Sequence, residues 1–488
     1  MTTGSHSARL LLGALLAPLV GVAMAPGPLG PPTRDHRPAP ALALGVVRGP
    51  AGAGLAASAP PGALRQTLTP GVPADLPAAP AAPPVAPPPP APAPPVPAPP
   101  PPPAASALTG ALEARLADPR LAGLSVGLSV WLDGLGEVAS RHADLPLLPA
   151  SNQKLITAMG ILAHVPVTDT LVTEVRATGA QDGARLVGDL ILVGGGDPTL
   201  TIRGPHSLDA LAVAVRARGI TQVAGALMAD ETRYDSLRGA GGWLPEHVPV
   251  FIGPLSALVV DRNQHRGDPA YAADPVPGNL LRFRHALARQ GVSVAGGDIV
   301  GPTPPGAVTL AARASPPIGA LVADMLVRSD NLSAELLVKE LGRRARGVGS
   351  TVAGLAAADA ALAGLGVRLA GHSADGSGLS RSDRRSAREL QELLRAALGQ
   401  PWGNHLLESL PLAGRTGTLT RRLRGTAAEA NVRAKTGWID EGRALSGYLT
   451  TAGGRRAVFS LVVNGTTPGS PVVGAIDDLV AAVAADRS

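Results

Sequence analysis

At 488 residues the chain is long enough to bury at least one sizeable core and to divide into two or more domains. Its formal charge of +6 is mild for that length, and every basic residue except Lys154, Lys339 and Lys435 is arginine, so the basic balance does not amount to a nucleic-acid-binding face of clustered Lys/Arg and aromatics. Cysteine is absent, which excludes disulfides and thiolate metal sites, and the histidines show no H-E-x-x-H or related ligand spacing.

The chain opens on Arg9, an apolar run from Leu10 to Val22 and a small-residue end at Ala23-Met24-Ala25, the pattern of a secretory signal. Pro26 follows the cleavage point, and the apolar run is shorter than the roughly 20 residues of a spanning helix. Residues 1–25 therefore read as a cleaved signal or an uncleaved N-terminal anchor. Pro, Ala and Gly dominate 26–105, and the Pro/Ala tract from Pro80 to Pro103 cannot build a core. This is a disordered linker: at about 3.1 Å per residue in polyproline II, the tract would reach on the order of 75 Å, a stalk across part of an envelope or inert low-complexity sequence.

Regular structure is expected from Ser106, where a short helical pattern leads into apolar Val126–Asp133, a turn at Gly134-Leu135-Gly136 and a second strand. After Pro149-Ala150, the segment Ser151 to Met159 has helical apolar spacing, with Ser151 in the N-cap position. Residues 170–310 carry short strands (Leu190–Val193, Ala257–Val260) and turns such as Gly194-Gly195-Gly196-Asp197-Pro198, and read as an inserted, strand-rich domain. Helical periodicity returns at Pro316–Val327, Asn331–Leu341 and Ser386–Ala397. Strands follow at Asn431–Lys435, Ala444–Thr450 and Ala457–Val463, then a closing helix at Pro471–Ala485. The expected class is α+β, with 106–169 and 311–488 forming one sheet flanked by helices.

Three short strings carry the chemistry: Ser151-Asn152-Gln153-Lys154, Ser329-Asp330-Asn331 and Lys435-Thr436-Gly437. Singly each is weak, since a serine three residues before a lysine is ordinarily an N-cap followed by a surface lysine. Their order and settings are more specific: a helix start, a turn beside a helix, and a strand followed by a hairpin. Two of the three lysines fall inside them. At 154 there is a chemical reason for lysine, because a serine hydroxyl needs a base and a desolvated lysine can become neutral whereas arginine cannot. Spacing i to i+3 puts Ser151 and Lys154 on one helical face.

Together these strings are the S-x-x-K, S-D-N and K-T-G set of penicillin-binding proteins and class A β-lactamases. The chain resembles the class C low-molecular-mass penicillin-binding proteins, D-alanyl-D-alanine carboxypeptidases and endopeptidases with a domain inserted between the first and second motifs. Further matching strings are Gly188-Asp189-Leu190, Gly195 to Leu200, Pro254 to Leu258, Asp375 to Arg381 and Ala444 to Tyr448, so the resemblance runs from about Ala107 to the C-terminus. It implies a serine β-lactamase/penicillin-binding-protein-like transpeptidase domain with an antiparallel sheet. Ser151 would be the nucleophile and Lys154 its base, with Ser329 and Lys154 delivering a proton to the leaving amine and Asn331 orienting the substrate amide. Lys435 and Thr436 would hold the terminal carboxylate, with Asp330, Gly437 and Trp438 on the substrate side. Backbone N–H groups of Ser151 and Trp438 are the candidate oxyanion donors.

The resemblance further implies peptidoglycan stem peptides ending in D-Ala-D-Ala as substrates, covalent β-lactam binding, no cofactor or metal, and an extracytoplasmic location with the N-terminus at the membrane or secreted. The third motif continues with Trp438 where the family usually has Thr, and the insertion is shorter than in fuller members. A β-lactamase-like hydrolase is one alternative; the stretch between Ser151 and Ser329 is too long for it, and Glu174, Glu231 and Glu246 lack its E-x-x-L-N context. A non-catalytic wall-binding protein on the same fold is another. Elsewhere, Gly194-Gly195-Gly196 lacks the Lys-Ser/Thr of a phosphate loop, and Gly376-Ser377-Gly378 is not G-x-S-x-G. Arg415-Thr416-Gly417-Thr418 reads as a loop-borne decoy of the third motif.

Overall fold

The computed structural model describes residues 103–264 and 273–487. The apolar N-terminal segment and the Pro/Ala linker lie outside them, except for 103–105, which open helix α1 (Pro103–Leu116).

Near-continuous apolar runs, buried on both faces, build the centre of the main sheet. Strands β1 (Ser125–Leu132) and β2 (Gly136–Arg141) form the expected hairpin, and β12 (Arg433–Ile439), β13 (Gly442–Thr450) and β14 (Arg456–Asn464) come from the far end of the chain. The order is β12-β13-β14-β1-β2, antiparallel throughout, with β1 pairing β14 from Ser125↔Asn464 to Leu132↔Ala457. Side chains two apart share a face, so β13 and β14 serve two cores. Ala444, Tyr448, Val458 and Val462 face a helical layer of α2 (Gln153–His164), α5 (Ile318–Arg328), α6 (Asn331–Arg346), α7 (Thr351–Ala363) and α8 (Ala387–Ala397). Leu445, Leu449, Leu461 and Val463 face α1 and the closing helix α9 (Val472–Ala485). Burying one such side chain fully contributes about 1.5–3 kcal/mol, and the two faces together hold the first and last segments of the chain in one body.

Between them, residues from Val172 to Ala314 build two further sheets. One has the order β10-β8-β6-β3-β11, from β3 (Val172–Ala177), β6 (Leu190–Val193), β8 (Leu227–Asp230), β10 (Asp298–Val300) and β11 (Val308–Ala314). The other joins β4 (Ala180–Asp182), β5 (Arg185–Val187), β7 (Gln222–Val223) and β9 (Ser293–Val294). Helices α3 (Leu208–Ala217) and α4 (Pro275–Arg289), which the sequence reading did not single out, pack Leu211, Val215, Leu280 and Phe283 into a core of their own. The segment, expected to end at 310, runs to Ala314, because β11 pairs with β3 from Val308↔Ala177 to Ala314↔Val172 across one irregularity between Thr309 and Ala311. Residues Tyr234 to Val259 leave these sheets and pack Ile252, Leu255 and Ala257 against Leu332 and Leu336 of α6, beside the second motif. Among the described residues, no helix is long and apolar enough to cross a membrane.

Candidate active site

Ser151 lies in a single 3-10 turn, Ala150–Asn152, immediately before α2, and not at the helix N-cap expected from the sequence. The N-cap is Asn152, without a capping side-chain bond; Asn152 Nδ2 instead donates to Ser446 Oγ at 2.7 Å, and Gln153 Nε2 to Ser373 Oγ at 2.6 Å. These two buried amides pin the turn to the sheet on one side and to the loop before α8 on the other, leaving the Ser151 hydroxyl for Lys154. The turn is held in an unusual shape: Ala150 has φ of 48°, and a Cβ on Gly378 would sit 1.9 Å from the Ala150 carbonyl oxygen. Gly437 gives the same access from β12, where a Cβ would lie 2.7 Å from the Pro149 oxygen.

Lys154 is fully buried in the first turns of α2, and its Nζ donates to Ser151 Oγ at 3.1 Å, Asn331 Oδ1 at 2.8 Å and the Ser377 carbonyl at 2.5 Å. Burial pulls this amine down from its ordinary 10.5 to about 8, against the opposing pull of Asp375, Asp330, Glu335 and Asp383. Part of that acidic group is itself forced toward neutrality: burial, then Asp375, push Glu335 up to about 8 and Asp383 up to about 9.

The second motif is the junction between two helices. Ser329 caps α5 in the left-handed region, φ 61° and ψ 42°, which turns its hydroxyl to accept from Lys435 Nζ at 2.8 Å. A residue with a Cβ adopts that conformation at a cost of roughly 1–2 kcal/mol, so the surrounding packing must hold it. Asp330 was expected on the substrate side; instead it is the N-cap of α6, accepting from Ser333 N at 2.6 Å and ion-paired with Arg262. Asn331 opens α6, with Oδ1 occupied by Lys154 and Nδ2 donating to the Phe251 carbonyl at 3.1 Å.

The third motif lies on β12, the edge strand, which runs on to Ile439 past the expected end at Lys435 because Gly442 to Tyr448 pair with it throughout. Lys435 is fully buried, bonded to Ser329 Oγ and the Thr436 carbonyl at 2.8 Å each, and burial followed by the proximity of Lys154 holds its amine well below the ordinary value. Thr436 Oγ1 donates to Thr418 Oγ1 at 2.8 Å. Trp438 is 62% exposed and stacks on Arg443, its cross-strand partner, with the guanidinium carbon 3.7 Å from the ring centroid.

A cavity of about 500 Å³ gathers Ser151, Ser329, Asn331, Thr436 and Trp438. Lys154 and Lys435 lie behind its wall, touching it through the two serine hydroxyls. Leu244, His247 and Phe251 from the segment packed on α6 also line it without a signal in the sequence, and Leu379 and Arg381 come from the matching Asp375–Arg381 string, to which no site role was attached. Thr418 also lines it from a 3-10 turn at Gly417–Leu419, so the Arg415–Thr418 segment, a decoy in sequence, supplies a wall beside Thr436. Of the acids weighed for a β-lactamase-like role, Glu246 lines the cavity, whereas Glu174 pairs with Arg176 and Glu231 with Arg238.

The chain matches the family described as D-Ala-D-Ala carboxypeptidase 3 (S13) over residues 108–273 and 273–485. It is 35% identical over 451 residues to a D-alanyl-D-alanine carboxypeptidase of Actinomadura sp. (strain R39), covering 76% of this chain and 83% of that one. A carboxypeptidase DacB of Mycolicibacterium smegmatis is 31% identical over 383 residues, 75% of this chain and 82% of the relative. In fold it is similar to the crystal structure of penicillin binding protein 4 (dacB) from Haemophilus influenzae, with a TM-score of 0.68 at 22% identity, covering 78% of this chain and 99% of that one. The architecture is thus that of the penicillin-binding-protein-like serine hydrolases, and the chain belongs to the D-Ala-D-Ala carboxypeptidase (S13) family.

Proposed function

We propose that the chain is a serine D-alanyl-D-alanine carboxypeptidase of the cell envelope that cleaves peptidoglycan stem peptides through an acyl-enzyme on Ser151 and is trapped by β-lactams as a slow ester. The observation that carries this reading is the 3.1 Å contact of a buried, pKa-depressed Lys154 amine with the Ser151 hydroxyl at the floor of a substrate-sized cavity. A lysine in that state takes the hydroxyl proton as the oxygen attacks the carbonyl of the penultimate D-Ala, which arginine could not do. The oxyanion is received by backbone N–H groups of the Ser151 turn and of β12 at Trp438, which Gly437 allows to approach each other.

The leaving D-Ala amine takes its proton from the lysine–hydroxyl set. Lys154 is bonded to both Ser151 and Asn331 and Lys435 to Ser329, so Lys154 serves the site through two polar partners and Lys435 through one. Thr436 faces the terminal carboxylate. Water then hydrolyses the ester. The Pro/Ala segment would carry the domain away from an N-terminal signal or anchor into the envelope.

Intact mass after incubation with benzylpenicillin tests the assignment. One covalent equivalent is expected, absent in Ser151→Ala; labelling that persists in Ser151→Ala rejects Ser151 as the nucleophile.

A further inference from the structure

Five lysine and arginine side chains are fully buried among the described residues: Lys154, Lys339, Arg385, Lys435 and Arg443. Two are neutralised by ion pairs, Lys339 with Asp235 and Arg385 with Glu389. The other three make no ion pair among the described residues, and each lies directly behind a residue that lines the cavity: Lys154 behind Ser151, Lys435 behind Ser329 and Arg443 behind Trp438. Lys154 and Lys435 bond to its serines. Arg443 has no such role in the reading above. It lies at the far end of the same strand pair, beneath the Trp438 indole.

The guanidinium is fixed on one side only. Nη1 donates to the carbonyls of Ile439 and Gly442, the latter at 2.9 Å, and to Thr466 Oγ1 at 3.4 Å. Nε and Nη2 meet no acceptor among the described residues although the side chain is 1% exposed. Those two nitrogens form the edge of a guanidinium that grips a carboxylate with two parallel hydrogen bonds. Buried polar groups are nearly always partnered, and arginine cannot escape by losing its proton. Asp440, on the turn, is the acid whose field acts on it, against burial that lowers its pKa.

We propose that Arg443 is a carboxylate-binding residue gated by Trp438: the indole, stacked on the guanidinium with its centroid 3.7 Å from the guanidinium carbon, swings outward as the substrate's terminal carboxylate enters and meets the Nε–Nη2 edge. The inference rests on the carboxypeptidase reading and names the group that holds its substrate's charged end. Residues paired across an antiparallel ladder point to the same face, so Arg443 shares the face of Trp438 and of Thr436 two residues before it. Lys435 is poorly suited to supply the positive charge, since it is fully buried beside a second lysine and bonded to Ser329. An arginine keeps its charge in the same setting.

The test compares turnover of a D-Ala-D-Ala-terminated peptide with that of its C-terminal amide, each variant's active sites being counted by benzylpenicillin adduct mass. Arg443→Gln should narrow the preference for free carboxylate about tenfold or more, mainly through KM, consistent with loss of hydrogen bonds to a charged group. Trp438→Ala, which uncovers Arg443 without adding a hydroxyl, should lower KM for the acid and not for the amide. It should lose that effect in the Arg443→Gln background. An unchanged acid-to-amide ratio in Arg443→Gln overturns the proposal, as does an equal fall on both substrates, which would make Arg443 a structural support. If Arg443→Gln does not fold, the Trp438→Ala comparison decides alone: an equal KM change on acid and amide, or none, overturns it. A wild-type protein that benzylpenicillin never acylates rejects the carboxypeptidase reading itself, a result separate from any of these.

Discussion

Replacing Lys154 by arginine keeps the positive charge and removes the one state in which this side chain can accept a proton. With the amine held at about 8, roughly 1% is neutral at pH 6, about 9% at pH 7 and about half at pH 8. Acylation by benzylpenicillin should therefore rise about 50-fold between pH 6 and pH 8 and less than about twofold from pH 8 to pH 9. General-base assistance is worth about 10²- to 10⁴-fold, so Lys154→Arg should lose at least about 10²-fold at pH 8 and show no rise across this range. Time courses of adduct mass at each pH read both effects. Four carboxylates pull the Lys154 pKa upward, Asp330 among them. Asp330→Asn keeps an N-cap for α6 and removes one negative charge, so it should move the rising limb to lower pH. A flat wild-type profile from pH 6 to pH 9, or an arginine variant that retains the limb, would refute Lys154 as the base.

Trp438 occupies the place of a family threonine, and a hydroxyl bonded to a charged carboxylate is worth about 1.5–3 kcal/mol, so Trp438→Thr should raise kcat/KM on D-Ala-D-Ala peptides about 10- to 150-fold. It should exceed Trp438→Ala, and a Thr variant no better than wild type would show the indole to be a productive part of the site. Gly378→Ala places a Cβ 1.9 Å from the Ala150 oxygen at φ 82°; the displaced Ser151 turn should cost about 10²-fold in acylation rate, and a normal rate would mean that the turn does not need this approach. Glu335 is held up to about 8 by burial, so between its ordinary 4.5 and about 8 the folded chain keeps a proton the unfolded chain has released, and stability falls as pH rises through that window. Glu335→Gln should accordingly raise Tm more at pH 8 than at pH 4; an equal gain at both would show that Glu335 is not held protonated.

What the sequence made legible was governed by local rules. The near-continuous apolar runs of β1, β13 and β14 mark strands buried on both faces, and the Gly134–Gly136 turn marks a hairpin, because both signals are carried by neighbouring residues. Helix α3 has the apolar stripe of a surface helix in Leu208, Leu211, Ala212 and Val215, but it stands among short strands and was absorbed into their pattern. The end of β12 was missed because Gly437 and Trp438 are poor strand signals in isolation; pairing with β13 overrides them. Asp330 shows the reverse error. A family motif drew it toward the substrate, while the elementary preference of aspartate for an N-cap explains its bonds to Ser333 and Arg262.

The rarity of lysine marked two of the three site motifs, yet the structure gives that signal a different cause. All three lysines are buried, Lys339 included, and Lys339 lies outside the motifs with its charge balanced by Asp235. Rarity in an arginine-rich chain therefore tracks positions where a compact ammonium fits, and a buried lysine alone is not a sign of chemistry. The distinction lies in the partners. Lys339 meets a carboxylate, whereas Lys154 and Lys435 meet serine hydroxyls and lose much of their hold on a proton. A buried cation left without a counterion stores electrostatic cost, and that cost is relieved when the amine is neutral or when an anion arrives. The same condition at Arg443 has only the second outlet, because arginine does not give up its proton.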